Sequence, residues 1–341
     1  MNEKIRRICL SKRVLCMGVI YAALVWAAIA VVLGTGGAAF AQPVAQTGGK
    51  RVCVVVPHFK DEYWLSVGYG LIEEARLTGT ELLIFESGGY NALRRQIAVL
   101  EMCVARGADA VLLGAVSADD PALLAAVART ARKVPVVALV NELHAPQISG
   151  AVGVDWAEMG RVIGLYLSRL HPKGSAAVVA TLVTGPARSG WSPLLEAGLA
   201  EGLRGSSVQI RHIGRSDTGL HEQLVQVETA LHSLPDAGIL IGSAPAIEGA
   251  MGLAAQPGAA RPMLVSTYIS HSVRRGLQGG KVAAVAFDAP VEQGRMGLRA
   301  ALEARLGAFS QQLIGPKIRL VEAGATLPII LSPAELKLRI E

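Results

Sequence analysis

This 341-residue chain is poor in the residues that most often carry recognisable chemistry, with aromatics at 4% and cysteine at four positions. Its seven histidines, at 58, 144, 171, 212, 221, 232 and 271, are scattered. No His-Glu-x-x-His and no thiolate pair at metal spacing occurs, which excludes the usual zinc architectures. A Gly-x-Ser-x-Gly elbow is lacking, and with it the usual hydrolase signature. Gly185-Pro186-Ala187-Arg188-Ser189-Gly190 has Walker-like glycine spacing, but Trp191 stands where the phosphate-binding lysine must be. The first strand-to-helix turn has no Gly-x-Gly-x-x-Gly, so a Rossmann-like pattern here does not bring a dinucleotide with it. No repeat of 20 to 50 residues and no low-complexity tract is visible. A chain so lacking in catalytic motifs is expected to bind rather than to catalyse, with no cofactor and no metal.

The first 41 residues are organised differently from the rest. Lys4, Arg6, Arg7, Lys12 and Arg13 precede an uncharged apolar run from Met17 to Leu33, and small residues then lead to Ala39-Phe40-Ala41 before Gln42. That layout predicts a secretory signal peptide cleaved after Ala41. The alternative is an uncleaved membrane anchor, because the run is nearly long enough to span a bilayer. Arg6-Arg7-Ile8-Cys9-Leu10 is a partial twin-arginine match, beside which Sec export is the plainer reading. The segment holds five positive charges and one negative, so the formal net charge of +6 falls to +2 without it. No basic cluster interleaved with aromatics remains, and no nucleic-acid partner is expected. Cys9 and Cys16 leave with the signal, which has no lipobox. Cys53 and Cys103 remain, on the first strand and on the helix after the second. In an oxidising compartment such a pair commonly bridges; two buried free thiols are the alternative.

After a polar leader, residues 42 to 50, strand and helix patterns alternate almost without interruption. Strands are expected at Val52 to Val56, Glu81 to Glu86, Ala108 to Gly114, Val134 to Val140, Ala176 to Val183, Val208 to His212, Gly238 to Gly242, Pro262 to Thr267 and Val282 to Phe287. Most are continuous apolar runs, which suit strands covered on both faces in parallel α/β sheets. Helices are expected near 65–78, 91–107, 121–131, 156–170, 192–204, 219–234, 245–255 and 291–306. So many units exceed one compact sheet, and Gly150 to Asp155 offers a break. Two Rossmann-like α/β lobes joined by a multi-strand hinge are expected, 51–154 plus about 289–314 forming the first and 155–288 plus about 315–341 the second. Pro316 to Val321 resembles a late strand, and Ser332 onward a short terminal helix.

The few aromatics fall in telling places. Of twelve beyond residue 41, seven lie at or just past strand C-termini: Phe59, Tyr63, Trp64, Tyr90, Trp156, Tyr268 and Phe287. Open α/β sheets bind ligands there, whereas core aromatics scatter through strand interiors and helix faces, as Phe85 and Tyr166 do. Taken singly, Tyr63 and Trp64 could equally cover a sheet edge. Five strand-end loops meeting at one cleft would instead make a box suited to a methylated ammonium or amine oxide, held by cation–π contacts. Sugars also stack on rings, but they require more polar groups than the few beside these: Lys60, Asp61, Asn141, Asp155 and Asp288. Lys60 and Asp61 could equally be a solvated pair at a helix start.

Beyond this reading, one combination of residues is specific. Pro57-x-x-Lys60-Asp61-x-Tyr63-Trp64-Leu65-Ser66, with Tyr69-Gly70, Glu74-Ala75, Gly88-Gly89-Tyr90, the run Gly107 to Gly114, Val140-Asn141, Ala145-Pro146-Gln147, Val152-Gly153-Val154-x-Trp156 and Tyr268-x-Ser270-His271, closely resembles the TorT family. These are periplasmic sensor proteins of the trimethylamine N-oxide respiratory system with the type I periplasmic binding protein fold. The resemblance spans nearly everything after residue 50 and is thinnest around Gly185 to Ser192 and beyond Pro316. It implies a box for trimethylamine N-oxide walled by Tyr63, Trp64, Tyr90, Trp156 and Tyr268, with Asp61, Asp155 or Asp288 nearby. Cys53 and Cys103 fall where the family has cysteines. It also implies a partner, the periplasmic sensor domain of the histidine kinase TorS, and contact with the membrane only through that kinase. The competing expectation is a transporter's substrate-binding protein for a sugar or small solute; a cytoplasmic DNA-binding regulator is disfavoured by the export signal.

Overall fold

The computed structural model describes residues 50–307, 310, 312–325 and 328–341. The expected signal peptide and the leader up to residue 49 lie outside the described residues. The chain begins with β1 (Arg51–Val56), α1 (Glu62–Thr78), β2 (Glu81–Glu86), α2 (Leu93–Ala105), β3 (Ala110–Leu113), α3 (Pro121–Ala131), β4 (Val136–Val140) and β5 (Gly150–Gly153). It then builds a second unit from α4 (Trp156–Leu170), β6 (Val178–Thr184), α5 (Trp191–Gly202), β7 (Val208–Arg215), α6 (Leu220–Ser233), β8 (Ile239–Gly242), α7 (Ala244–Ala254), β9 (Met263–Ser266), α8 (His271–Gln278) and β10 (Ala284–Phe287). α9 (Pro290–Arg305) and β11 (Leu313–Ile314) return to the first unit, and β12 (Arg319–Glu322) closes the second.

Two six-stranded sheets result, ordered β11-β5-β4-β3-β1-β2 and β12-β10-β9-β8-β6-β7. Every pairing is parallel except β12 against β10. The runs of β1, β3 and β4 are buried along nearly their whole length, because helices cover both faces. Each sheet turns direction beside its first strand, between β1 and β3 and between β6 and β8, which places a ligand crevice at those carboxyl ends. The chain crosses between the sheets after β5, after β10 and after β11. The Cys53–Cys103 bridge ties β1 to α2 over a separation of 50 residues.

Three features differ from the expectation. Gly150 to Gly153 is a strand and not merely a break: it adds to β4 and is followed in the sheet by β11. α8, two turns long with polar ends, goes unannounced in the sequence. Residues 332–341 form no helix; Ser332 meets both lobes, its carbonyl 2.8 Å from His271 Nε2 of α8 and its N–H donating to Ser66 Oγ of α1 at 3.2 Å, and beyond it Ile340 pairs with Ile84 of β2 and Arg106 meets Glu341 at 2.6 Å. The edge of β2 offers unpaired backbone groups, and the tail meets one of them, the Ile84 carbonyl accepting the Glu341 N–H at 2.9 Å.

Candidate functional site

The box begins with a helix cap. Asp61, extended at φ −94°, accepts the Tyr63 N–H at 3.0 Å and so starts α1. That start turns Tyr63 and Trp64 toward the cleft. The Trp64 indole lies against Gly114, where a Cβ would come within 2.5 Å of Cη2. Trp156 opens α4, which Asp155 caps, and its Nε1 donates to the Val140 carbonyl at 3.0 Å. Val140 holds φ +66°, an unfavourable conformation for a β-branched residue, and strain of this kind gathers at binding sites. From the second lobe come Tyr268, after β9, and Trp191, the first residue of α5, whose ring lies on Gly185.

These five rings and that of Tyr90, with Asp61, Val140, Asn141 and Thr218, line one cavity. Neighbouring rings meet mostly edge to face, Tyr63 with Tyr268 at 5.3 Å and Trp191 with Tyr268 at 6.2 Å, while Trp156 and Trp191 are tilted at 5.0 Å. Such spacings are favourable for aromatic pairs. The free space is only about 10 Å³, room for about one water, so the lobes stand closed on the box.

Two buried carboxylates organise the phenols. Tyr268 Oη donates to Asp61 Oδ2 and Tyr63 Oη to Asp288 Oδ2, each at 2.7 Å, and Gln293 Nε2 also donates to Asp288 at 2.9 Å. Burial raises both carboxyls to about 6, against the lowering effect of these hydrogen bonds. Burial and the adjacent carboxylates push the Tyr63 and Tyr268 phenols well above their ordinary value. Tyr90 is arranged differently: its oxygen accepts from Asn141 Nδ2 at 3.0 Å and Trp191 Nε1 at 3.2 Å. Its own proton has a single acceptor, Asn141 Oδ1 at 3.3 Å. Of the three phenolic protons in the box, this one has the longest hydrogen bond.

The structure thus brings Tyr63, Trp64, Tyr90, Trp156, Tyr268 and Asp61 to one cavity. It puts Asp288 behind Tyr63, where it holds that ring without lining the space. Asp155 is exposed and spends its side chain on the N–H groups of Ala157 and Glu158, outside the box. Phe59 packs instead beside Gly68 and the tail. The sequence reading misses Trp191 as a wall, although it follows a strand-end glycine loop in the same way that Trp64 follows the first strand.

A sequence profile described as "Periplasmic binding protein domain" matches residues 52–308. Periplasmic protein TorT of Escherichia coli (strain K12) is 35% identical over 270 residues, 79% of this chain and 76% of its own. The chain belongs to the TorT family of periplasmic binding proteins. TorT-like structure extends across both lobes. A crystal structure of the TorS sensor domain–TorT complex without ligand matches at TM-score 0.74 and 32% identity, over 86% of this chain and 100% of that one. The same complex with trimethylamine N-oxide matches at 0.74 and 31%, with the same coverage. An ABC transporter solute-binding protein from Bradyrhizobium sp. BTAi1 with bound bis-tris matches at 0.71 and 35%, over 86% of this chain and 90% of that one. The family is one of binding proteins with a periplasmic address, and no helix among the described residues is long and apolar enough to cross a membrane.

Proposed function

We propose that this protein is an exported receptor for trimethylamine N-oxide, or a close analogue, and that it acts on the periplasmic sensor domain of a TorS-like histidine kinase. The observation that carries the reading is the box of six rings with a buried carboxylate in its lining. Methyl groups around a positive nitrogen present an apolar, cationic face that suits ring faces, each contact worth about 0.5 to 2 kcal/mol when desolvated. The N-oxide oxygen requires a donor, and Tyr90 has the proton to give. Asp61 adds negative potential on the ammonium side.

The walls divide between lobes. Tyr63, Trp64 and Tyr90 belong to the first lobe, Trp191 and Tyr268 to the second, and Trp156 to the crossing between them. A ligand touching all of them favours the closed arrangement over the open one, and only such a difference can carry a signal. The kinase partner is supported by the 32% identical complex of TorT with the TorS sensor domain, and the ligand by the related complex that holds trimethylamine N-oxide.

A second reading, a receptor feeding a small solute to a transporter, is favoured by the 35% identical solute-binding protein of Bradyrhizobium. Calorimetry and size-exclusion binding separate the two. Heat on adding trimethylamine N-oxide together with a stable complex with a TorS-like sensor domain supports sensing. Ligand binding without any kinase complex, beside genes for a permease and ATPase, supports transport. Absence of heat and of thermal shift at millimolar N-oxide, with the sensor domain present, sinks the proposed ligand.

A further inference from the structure

Beside the box, the loop after β7 reaches from the second lobe into the first. Asp217 Oδ1 lies 2.9 Å from His58 Nε2 and accepts its own loop's Thr218 N–H at 2.8 Å, while Oδ2 accepts the Tyr90 N–H at 2.8 Å. Thr218 Oγ1 is a further 3.2 Å neighbour of His58 Nε2. The His58 side chain is fully buried and that of Asp217 is 14% exposed.

This approach is built on both sides. Gly89 holds φ +135°, and a Cβ there would come within 2.4 Å of Asp217 Oδ2, so the first lobe leaves room for the carboxylate by omitting a side chain. On the second lobe, Gln223 Nε2 donates to the carbonyls of Thr184, Ser216 and Asp217, pinning the loop from behind. Burial would raise the Asp217 carboxyl, but the His58 contact and the N–H groups of Tyr90 and Thr218 outweigh it and hold the group below the ordinary carboxylate value. It is therefore an anion at neutral pH, and charge-assisted hydrogen bonds are the stronger kind. Neither His58 nor Asp217 lines the ligand cavity, although the His58 ring stands edge-on to Tyr90 at 6.0 Å.

We propose that Asp217 and His58 form an interlobe latch, a positioning pair that holds the lobes closed and keeps Tyr90 in the wall of the box without touching the ligand. The affinity arm of this inference rests on the proposed ligand, and the closure arm does not. An unlatched receptor spends less time in the binding-competent form, and its apparent affinity falls by that fraction.

The test is the interlobe distance distribution of the ligand-free protein, read by fluorescence energy transfer between dyes on Leu77→Cys and Ile213→Cys, exposed positions on the two lobes. In that background Asp217→Asn and His58→Leu should open the distribution and weaken N-oxide binding about 10- to 100-fold. His58→Gln, which restores an N–H donor at the same site, should recover most of the closure and affinity, which a purely steric role would not do. Gly89→Ala serves as a second perturbation if an acidic-site variant fails to fold, and it should open the lobes as well. Variants as closed as the unaltered receptor, or an unaltered receptor already as open as Asp217→Asn, would overturn the latch. Loss of N-oxide binding by the unaltered receptor would remove the proposed ligand and leave the distance comparison to decide the latch.

Discussion

Replacing Trp191 separates two things this side chain does. Its ring forms a wall of the box between Trp156 and Tyr268, and its Nε1 donates to Tyr90 Oη at 3.2 Å. Trp191→Phe keeps an aromatic face and removes the donor, a net loss of about 1 kcal/mol, or about 5-fold in Kd. Trp191→Ala removes the face as well. One cation–π contact adds about 1 kcal/mol, so the total of about 2 kcal/mol corresponds to about 30-fold. The stability cost of the alanine variant should be roughly 3 to 5 kcal/mol, as for truncation of a buried aromatic. Calorimetric titration with trimethylamine N-oxide gives the affinities, and thermal melts followed by circular dichroism give the stabilities. An alanine variant that binds like the unaltered protein would refute the wall. Equal losses for the phenylalanine and alanine variants would show that Trp191 only props Tyr90.

Asp288 offers a pH test. Its carboxyl is raised to about 6 from 3.8 in the folded protein, so the folded state binds more protons and the stability it contributes is lost as pH rises through that window. Asp288→Asn cannot ionise and can still accept from Tyr63; between pH 4 and 7.5 its melting temperature should fall less than that of the unaltered protein, and an equal fall would contradict the assignment. Reduction of Cys53–Cys103 opens a loop of 50 residues, worth about 4 kcal/mol by chain entropy, and dithiothreitol should lower the melting temperature of the unaltered protein but not that of a Cys53→Ala/Cys103→Ala double variant. Gly114→Ala drives a methyl into the Trp64 indole and should weaken ligand binding while both lobes stay folded by circular dichroism; unchanged affinity would show that Trp64 can shift freely.

Much of this architecture is legible in the sequence because parallel strands buried on both faces must be written as continuous apolar runs, as Val52 to Val56 and Val136 to Val140 are. β5 is written Gly-Ala-Val-Gly and exists only through its neighbours β4 and β11, which no local pattern declares. The tail after Ser332 has no periodicity of its own; it is ordered by the free edge of β2. The box is legible in part because rings are few in this chain and seven of the twelve beyond residue 41 stand at strand ends. Asp61 and Asp155 read alike, each an aspartate before an aromatic helix start, and only the fold aims one inward and leaves the other in solvent. Asp217 and His58 meet across 159 residues, and neither stands in any motif.

The central claim is that the aromatic box between the two lobes binds a methylated N-oxide. Its most direct test is a calorimetric titration of the purified protein with trimethylamine N-oxide, run beside Trp64→Ala and Trp156→Ala with melts on all three. The account predicts saturable one-site heat for the unaltered protein and none for either variant, with both variants still folded at the titration temperature. Undiminished binding by folded Trp64→Ala and Trp156→Ala would contradict it.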